Sequence, residues 1–205
     1  MNFWDRLETV AARRDVLRHS FYVRWSEGTL TREELANYAG QYRHAVVALA
    51  AATTAAARCP EAGDDAPALA AHAREETDHI ALWDQFVAQV GGDPAAPANR
   101  ETRACAEEWA GDDSRPLLHT LTAMYAIESA QPAISQTKLA GLADHYGIES
   151  SPYFEVHQRL DVEHAAQARH LIDERLPGAE HDALLRTAVR VLHANWRLLD
   201  GVDRA

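Results

Sequence analysis

YFEVHQRLDVEHAAQARH, residues Tyr153–His170, is the stretch from which the fold can be read. It places His157, Asp161 and His164 at i, i+4 and i+7. At about 100° per residue in a helix, the three fall within about 60° of one another on one face. Phe154 lies one turn earlier on that face, and Ala168 and Leu171 continue it, so the stripe faces a core. Ionisable groups on a buried stripe are costly unless something pairs them, and a shared metal ion is the usual pairing.

Working outward, two more segments carry the same device. A helix expected over about Ala66 to Val90, stopped by Gly91-Gly92, has the apolar line Leu69, Ile80, Trp83 and Val87, with Glu76 and His79 beside it. A helix opened by Ser114-Arg115-Pro116 points Leu117, Leu121, Met124 and Tyr125 inward, and Glu128 continues that line. Pro132 is expected to kink it before it ends at Gly147. Glu76-x2-His79 and Asp161-x2-His164 share a carboxylate-x-x-His spacing, which lets one helix offer an oxygen and a nitrogen to one metal. Glu128, from a third helix, is placed to bridge two. Two divalent ions against three carboxylates leave the site nearly balanced, and mixed oxygen and imidazole ligands without thiolate suit iron or manganese better than structural zinc. His72 makes His72-x3-Glu76-x2-His79 repeat the pattern of the Tyr153–His170 helix. It reads as a hydrogen-bonding neighbour or a solvated group ahead of an extra ligand.

The remainder is helical. One helix is expected from Asn2 to Arg18. A second is opened by a capping box at Thr31 and Glu34 and runs to about Ala57, where Cys59-Pro60 ends it. A short one covers Glu101–Ala110, the Ser151-Pro152 helix stops at Pro177-Gly178, and the last spans about Glu180 to Leu199. No segment alternates as a strand, so the class is all-α, in one domain over residues 1–205. The 205 residues are 47% hydrophobic and 25% charged, with a formal charge of −11. That charge, with no basic run, argues against nucleic acid and anionic membrane as partners. No apolar segment is long enough to span a bilayer and the start has no signal core, so a cytoplasmic protein is expected. Cys59 and Cys105 give no disulfide framework.

With these residues in hand, the chain resembles the heme-oxygenase-like superfamily. His19-Ser20-Phe21-Tyr22, Trp25-x2-Gly28-x-Leu30, Gln41-Tyr42-Arg43-His44 and Glu75-Glu76-x2-His79-x2-Leu82-Trp83 are similar to its pyrroloquinoline-quinone synthase and thiaminase II branch. His157-x3-Asp161-x2-His164 is similar to the diiron oxidases and oxygenases of the same superfamily. The resemblance implies a seven-helix bundle, often a homodimer. It also implies two Fe(II) ions, or a manganese–iron pair, held by Glu76, His79, Glu128, His157, Asp161 and His164. Dioxygen would be the co-substrate. The activity it implies is oxidation of a small amino or carboxylic acid by C–C cleavage, desaturation or N-oxygenation in a biosynthetic pathway. Where some members carry an acid seven residues before the helix histidine, this chain has His72.

Tyr42, His44, Met124 and Tyr125 are the residues expected to line a substrate pocket. Cys105 reads as a small buried thiol, Lys138 as a solvated lysine, and Arg43 as half of an ion pair. Two rival functions stand beside the diiron reading. One is a metal-free enzyme of this fold using His and Glu as acid and base. The other is a helical binding protein without catalysis.

Overall fold

The computed structural model describes residues 1–112, 114–176 and 180–204, which are helices and connections without a strand among them. Nine α-helices follow in order: α1 (Phe3–Ala12), α2 (Ser20–Glu27), α3 (Arg32–Arg58), α4 (Ala66–Gln89), α5 (Arg100–Ala110), α6 (Leu117–Glu128), α7 (Gln131–Tyr146), α8 (Pro152–Arg175) and α9 (His181–Asp203). None is long and apolar enough to cross a membrane.

One expected helix stops short, one is divided, and α2 forms over Ser20–Glu27, where no helix was expected, which accounts for nine rather than seven. The first breaks after α1 because side chains offer helix caps in mid-sequence. Asp15 accepts from the Leu17 N–H, and the His19 ring Nδ1 accepts from the Phe21 N–H. Such local acceptors compete with the helix ladder. The second breaks just after Glu128, at Ser129 and Ala130, where a kink at Pro132 was expected. Pro132 has no N–H, and its ring would clash with the carbonyl four residues back, which is that of Glu128. The chain restarts with Pro132 in the first turn of α7, where proline is tolerated. Ser114 does not cap α6; its hydroxyl and N–H are both held by Asp112. The capping box at Thr31 and Glu34 forms as read. Pro177 and Gly178, expected to stop α8, lie outside the described residues.

The core is an aromatic mass between α2, α3, α4 and α8. Trp25, Tyr38, Trp83, Phe86 and Phe154 are all fully buried there. α7 approaches it closely because Gly141 faces Trp25: a Cβ at that position would come within 2.5 Å of the indole. α4 packs along α3 and also meets α8, and α8 packs on α6 and α7. The inner faces of α4, α6 and α8 therefore converge.

Candidate metal centre

On α4, His72, Glu76 and His79 lie at i, i+4 and i+7 and all three are buried. On α8, His157, Asp161 and His164 repeat that spacing and are also buried. Glu128 closes α6, where the helix break fixes its position. Helical periodicity thus turns three ordinary amphipathic stripes into one cluster of four imidazoles and three carboxylates.

The cluster has two halves. Glu76, His79 and His157 present ligand-type atoms to one point, and His72, Glu128 and His164 present theirs to another. Glu76 with Asp161 and His164 forms a third grouping between them. Glu76 Oε1 lies 3.2 Å from His79 Nδ1 and 3.9 Å from both His72 Nε2 and His164 Nδ1. Its Oε2 is 3.9 Å from His157 Nε2. Across the other half, His72 Nε2 approaches Glu128 Oε1 to 3.0 Å. The His72 and His164 rings stack with centroids 3.8 Å apart.

Outer hydrogen bonds set which ring nitrogens face in. The Tyr153 carbonyl can only accept, so His157 Nδ1, 2.7 Å away, carries the proton and Nε2 turns its lone pair inward. Glu75 does the same for His164: its carboxylate accepts from Nε2 at 2.9 Å and leaves Nδ1 to the cluster. This arrangement fixes tautomer and orientation in metal-binding histidines.

Inside, the groups do not satisfy one another. Of twelve buried side-chain polar atoms without a hydrogen-bond partner among the described residues, eight belong to His72, Glu76, Glu128, His157, Asp161 and His164. Both atoms of the 3.0 Å His72–Glu128 approach are among them. A buried hydrogen-bonded cluster would pair these atoms, because leaving one unpaired costs about 1–3 kcal/mol. Convergent lone pairs are the arrangement a cation requires.

The electrostatics agree. Burial drives the Glu128 and Asp161 carboxyls above the usual carboxylate range, against the pull of His72 and His164 respectively. Burial also opposes the charge on Glu76, but His157 and His79 outweigh it and hold that carboxyl below the ordinary range. Burial lowers His164, yet Asp161, Glu128 and Glu75 together bring it up to about 9. Without a cation the cluster is thus biased toward holding protons on carboxyls and imidazoles, which a divalent ion would displace. The donor set, imidazole and carboxylate without thiolate, fits iron or manganese.

All six residues expected as ligands meet in this cluster, and His72 joins them on equal terms, where a neighbouring or solvated role was preferred. The four expected pocket residues divide. Tyr42 and Met124 are buried inside the bundle. His44 instead meets the Ala96 carbonyl at 2.9 Å on the far side of α3. Tyr125 is half-buried and packs edge-on against Trp4, with centroids 5.0 Å apart. Arg43 pairs with Asp84, and Cys105 is a buried thiol.

Lys138 requires a correction. Expected in solvent, it is 1% exposed. Its Nζ is 2.6 Å from the Tyr38 hydroxyl and lies 4.7–5.5 Å from the ring centroids of Phe154, Tyr42, Tyr38, Trp83 and Tyr22. Burial pushes its pKa far down, which favours the neutral amine. From this box an aromatic column runs through Trp83 to Tyr153 (4.8 Å between centroids) and from Tyr153 to His157 (3.9 Å). The amine and the imidazole–carboxylate cluster are therefore two ends of one packed unit. Sequence reasoning also missed Glu75 and the Tyr153 carbonyl. A signal for Lys138 existed: Ile134, Lys138 and Leu142 recur every four residues on the buried face of α7.

A model of a family described as iron-containing redox enzymes matches residues 36–196. The 4-aminobenzoate synthase of Chlamydia trachomatis serovar D is 32% identical, over 98% of this chain and 91% of that protein. The 4-aminobenzoate synthase of Nitrosomonas europaea is 29% identical, over 98% and 90%. Among solved structures, a TenA homologue from P. horikoshii OT3 superposes with a TM-score of 0.81 at 16% identity, covering 100% of this chain and 99% of that one. A domain of unknown function with a heme oxygenase-like fold from Shewanella denitrificans OS217 gives 0.74 at 18%, covering 100% and 93%. These two bear on the fold alone, and they agree with the all-α bundle expected from the sequence.

Proposed function

The chain belongs to the family of iron-containing redox enzymes, and from that premise we propose that it holds two ferrous ions and uses dioxygen to form an aromatic amine of the 4-aminobenzoate class. The product class is taken from the name carried by its relatives. Glu76, His79 and His157 would hold one ion and His72, Glu128 and His164 the other, with Glu76 and Asp161 shared between them. The observation that carries this reading is the set of eight unpartnered ligand-type atoms facing one another in a closed core. Bound iron would supply the activation of dioxygen that the side chains alone do not provide.

The protein's own groups supply the rest. Tyr153 and Glu75 hold His157 and His164 in the tautomers that present lone pairs inward. The packed aromatic layer excludes water from the cluster and from Lys138. Lys138 is the second group that the fold keeps at a cost, as an amine whose burial disfavours its charge, and perturbed groups of this kind gather at functional sites. We assign it to the reactive unit.

Anaerobic titration with ferrous ion, then mixing with oxygenated buffer while absorbance and 4-aminobenzoate are followed, tests the reading. About two irons per chain and oxygen-dependent product support it; no iron above background, or equal product after exhaustive chelation, overturns it. Titration with manganese and iron together distinguishes a mixed pair. The homodimer rests on the resemblance to dimeric bundles, and sedimentation velocity decides it.

A further inference from the structure

A cavity of about 290 Å³ lies behind the helix break that positions Glu128. Ile127 and Ser129, the residues on either side of Glu128, both line it. The turn after α1, Trp109 of α5 and the inner face of α9 complete its walls. At the low end of the usual range for ligand pockets, its volume suits a small, single-ring molecule.

Three features define what fits. The walls are apolar, from Ile127, Ile134 and Leu192. Asn195 also lines the cavity; it is 7% exposed, and its Oδ1 is buried without a hydrogen-bond partner. The Trp109 N–H is already taken by the Val191 carbonyl, so Asn195 Oδ1 is the buried side-chain atom of the wall left without a partner among the described residues. At the mouth stands Arg14, exposed, whose guanidinium makes only a long 3.5 Å bond to the Arg13 carbonyl. Asp15 beside it is committed to capping Leu17. A guanidinium at the mouth, an apolar slot and an unpaired carbonyl oxygen inside describe a flat acid with a hydrogen-bond donor opposite its carboxylate. Asn195 also bears on the Tyr42 phenol, so the cavity abuts the aromatic layer around Lys138.

We propose that this cavity binds an aromatic carboxylate carrying a para donor, with the carboxylate on Arg14 and the donor on Asn195. Naming 4-aminobenzoate as the occupant rests on the proposed function; the site and its ligand class rest on the cavity itself. The site serves the product as it leaves, because it backs onto the segment holding Glu128 and opens at the surface.

The test uses metal-free full-length protein, so it does not depend on iron or turnover. Binding of 4-aminobenzoate and of benzoate is followed by calorimetry and ligand-observed NMR. Expected is binding of 4-aminobenzoate at least about tenfold tighter than benzoate, because a site built to hydrogen-bond a donor rejects the analogue lacking it. Ala133→Phe, which fills the cavity from an exposed position, should abolish binding of both ligands. Arg14→Ala should weaken both alike, and Asn195→Leu should erase the preference. The two surface variants keep the test valid if Asn195→Leu does not fold. No binding up to the solubility limit, equal affinity for both ligands, or binding indifferent to Ala133→Phe overturns the proposal. A negative result here leaves iron-dependent product formation untouched, and failure to load iron leaves the binding result untouched.

Discussion

Two of the places where the bundle buries ionisable groups are handled in opposite ways. Between α4, α6 and α8, seven groups are crowded together, and six of them hold buried polar atoms without a hydrogen-bond partner among the described residues. Around Lys138, one amine is isolated among five rings and given a single strong hydrogen bond. A bound cation would relieve the first arrangement, and loss of a proton would relieve the second. Burial alone therefore does not identify a metal site. What separates the two is whether the polar atoms converge on one another or are kept apart by apolar surface. The two regions should consequently respond to different variables, metal for one and pH for the other.

The largest expected effect is on the crowded region. Asp161→Ala removes a carboxylate shared between the halves, and bound iron should fall to one equivalent or less with product formation lost by at least about a hundredfold. His157→Ala should empty the Glu76 half specifically. Metal analysis by mass spectrometry after desalting checks both, and unchanged iron in either variant would break the assignment. On the intact protein, saturating ferrous ion should raise thermal stability, by about 2.7 kcal/mol at a hundred times the dissociation constant.

The second effect belongs to the amine. Its native pKa is depressed, so the native state sheds a proton that the unfolded chain, with lysine near 10.4, still holds. Stability should therefore rise with pH between the depressed native value and about 10.4, by about 1.4 kcal/mol per unit. It should fall as pH is lowered through that window. Lys138→Met removes this one-proton slope and keeps the volume, so the metal-free variant should be more stable at neutral pH and less pH-dependent in urea denaturation. In the iron-loaded protein the same variant should lose product formation. An unchanged slope would mean that Lys138 is charged in the native state.

The contrast also explains what was legible in the sequence. The crowded cluster was readable because each helix that carries it places its imidazoles and carboxylates at i, i+4 and i+7, or at the end of an apolar line, and helical geometry does the rest. His72 belongs to the same repeat and was read as a neighbour or a solvated group, yet it is buried and its Nε2 lies 3.0 Å from Glu128 Oε1. The amine was hidden because lysine is ordinarily solvated, and only the tertiary approach of α7 through Gly141 seals it in. The breaks after α1 and α6 depend on side-chain caps and on a proline whose clash falls four residues back, effects that a periodicity reading smooths over. His44 was assigned to the pocket from its helix and Tyr125 from an apolar line, but His44 meets the Ala96 carbonyl and Tyr125 packs against Trp4.

The smallest effect sharpens the comparison at the edge of the crowded region. Glu75 is half-exposed and would sit outside any ligand count, yet its carboxylate orients His164 from 2.9 Å. Glu75→Gln keeps an acceptor but removes the charge, and Glu75→Ala removes both. Partners of this kind affect metal affinity by about 10–100-fold, so Glu75→Ala should weaken iron binding by about tenfold and Glu75→Gln by less. Only the His72, Glu128 and His164 half should respond, which would turn a single-phase ferrous titration into two phases. His164 is also fixed by its stack on His72. If both variants titrate as the parent does, that stack alone orients the ring, and the surface carboxylate is an ordinary solvated partner.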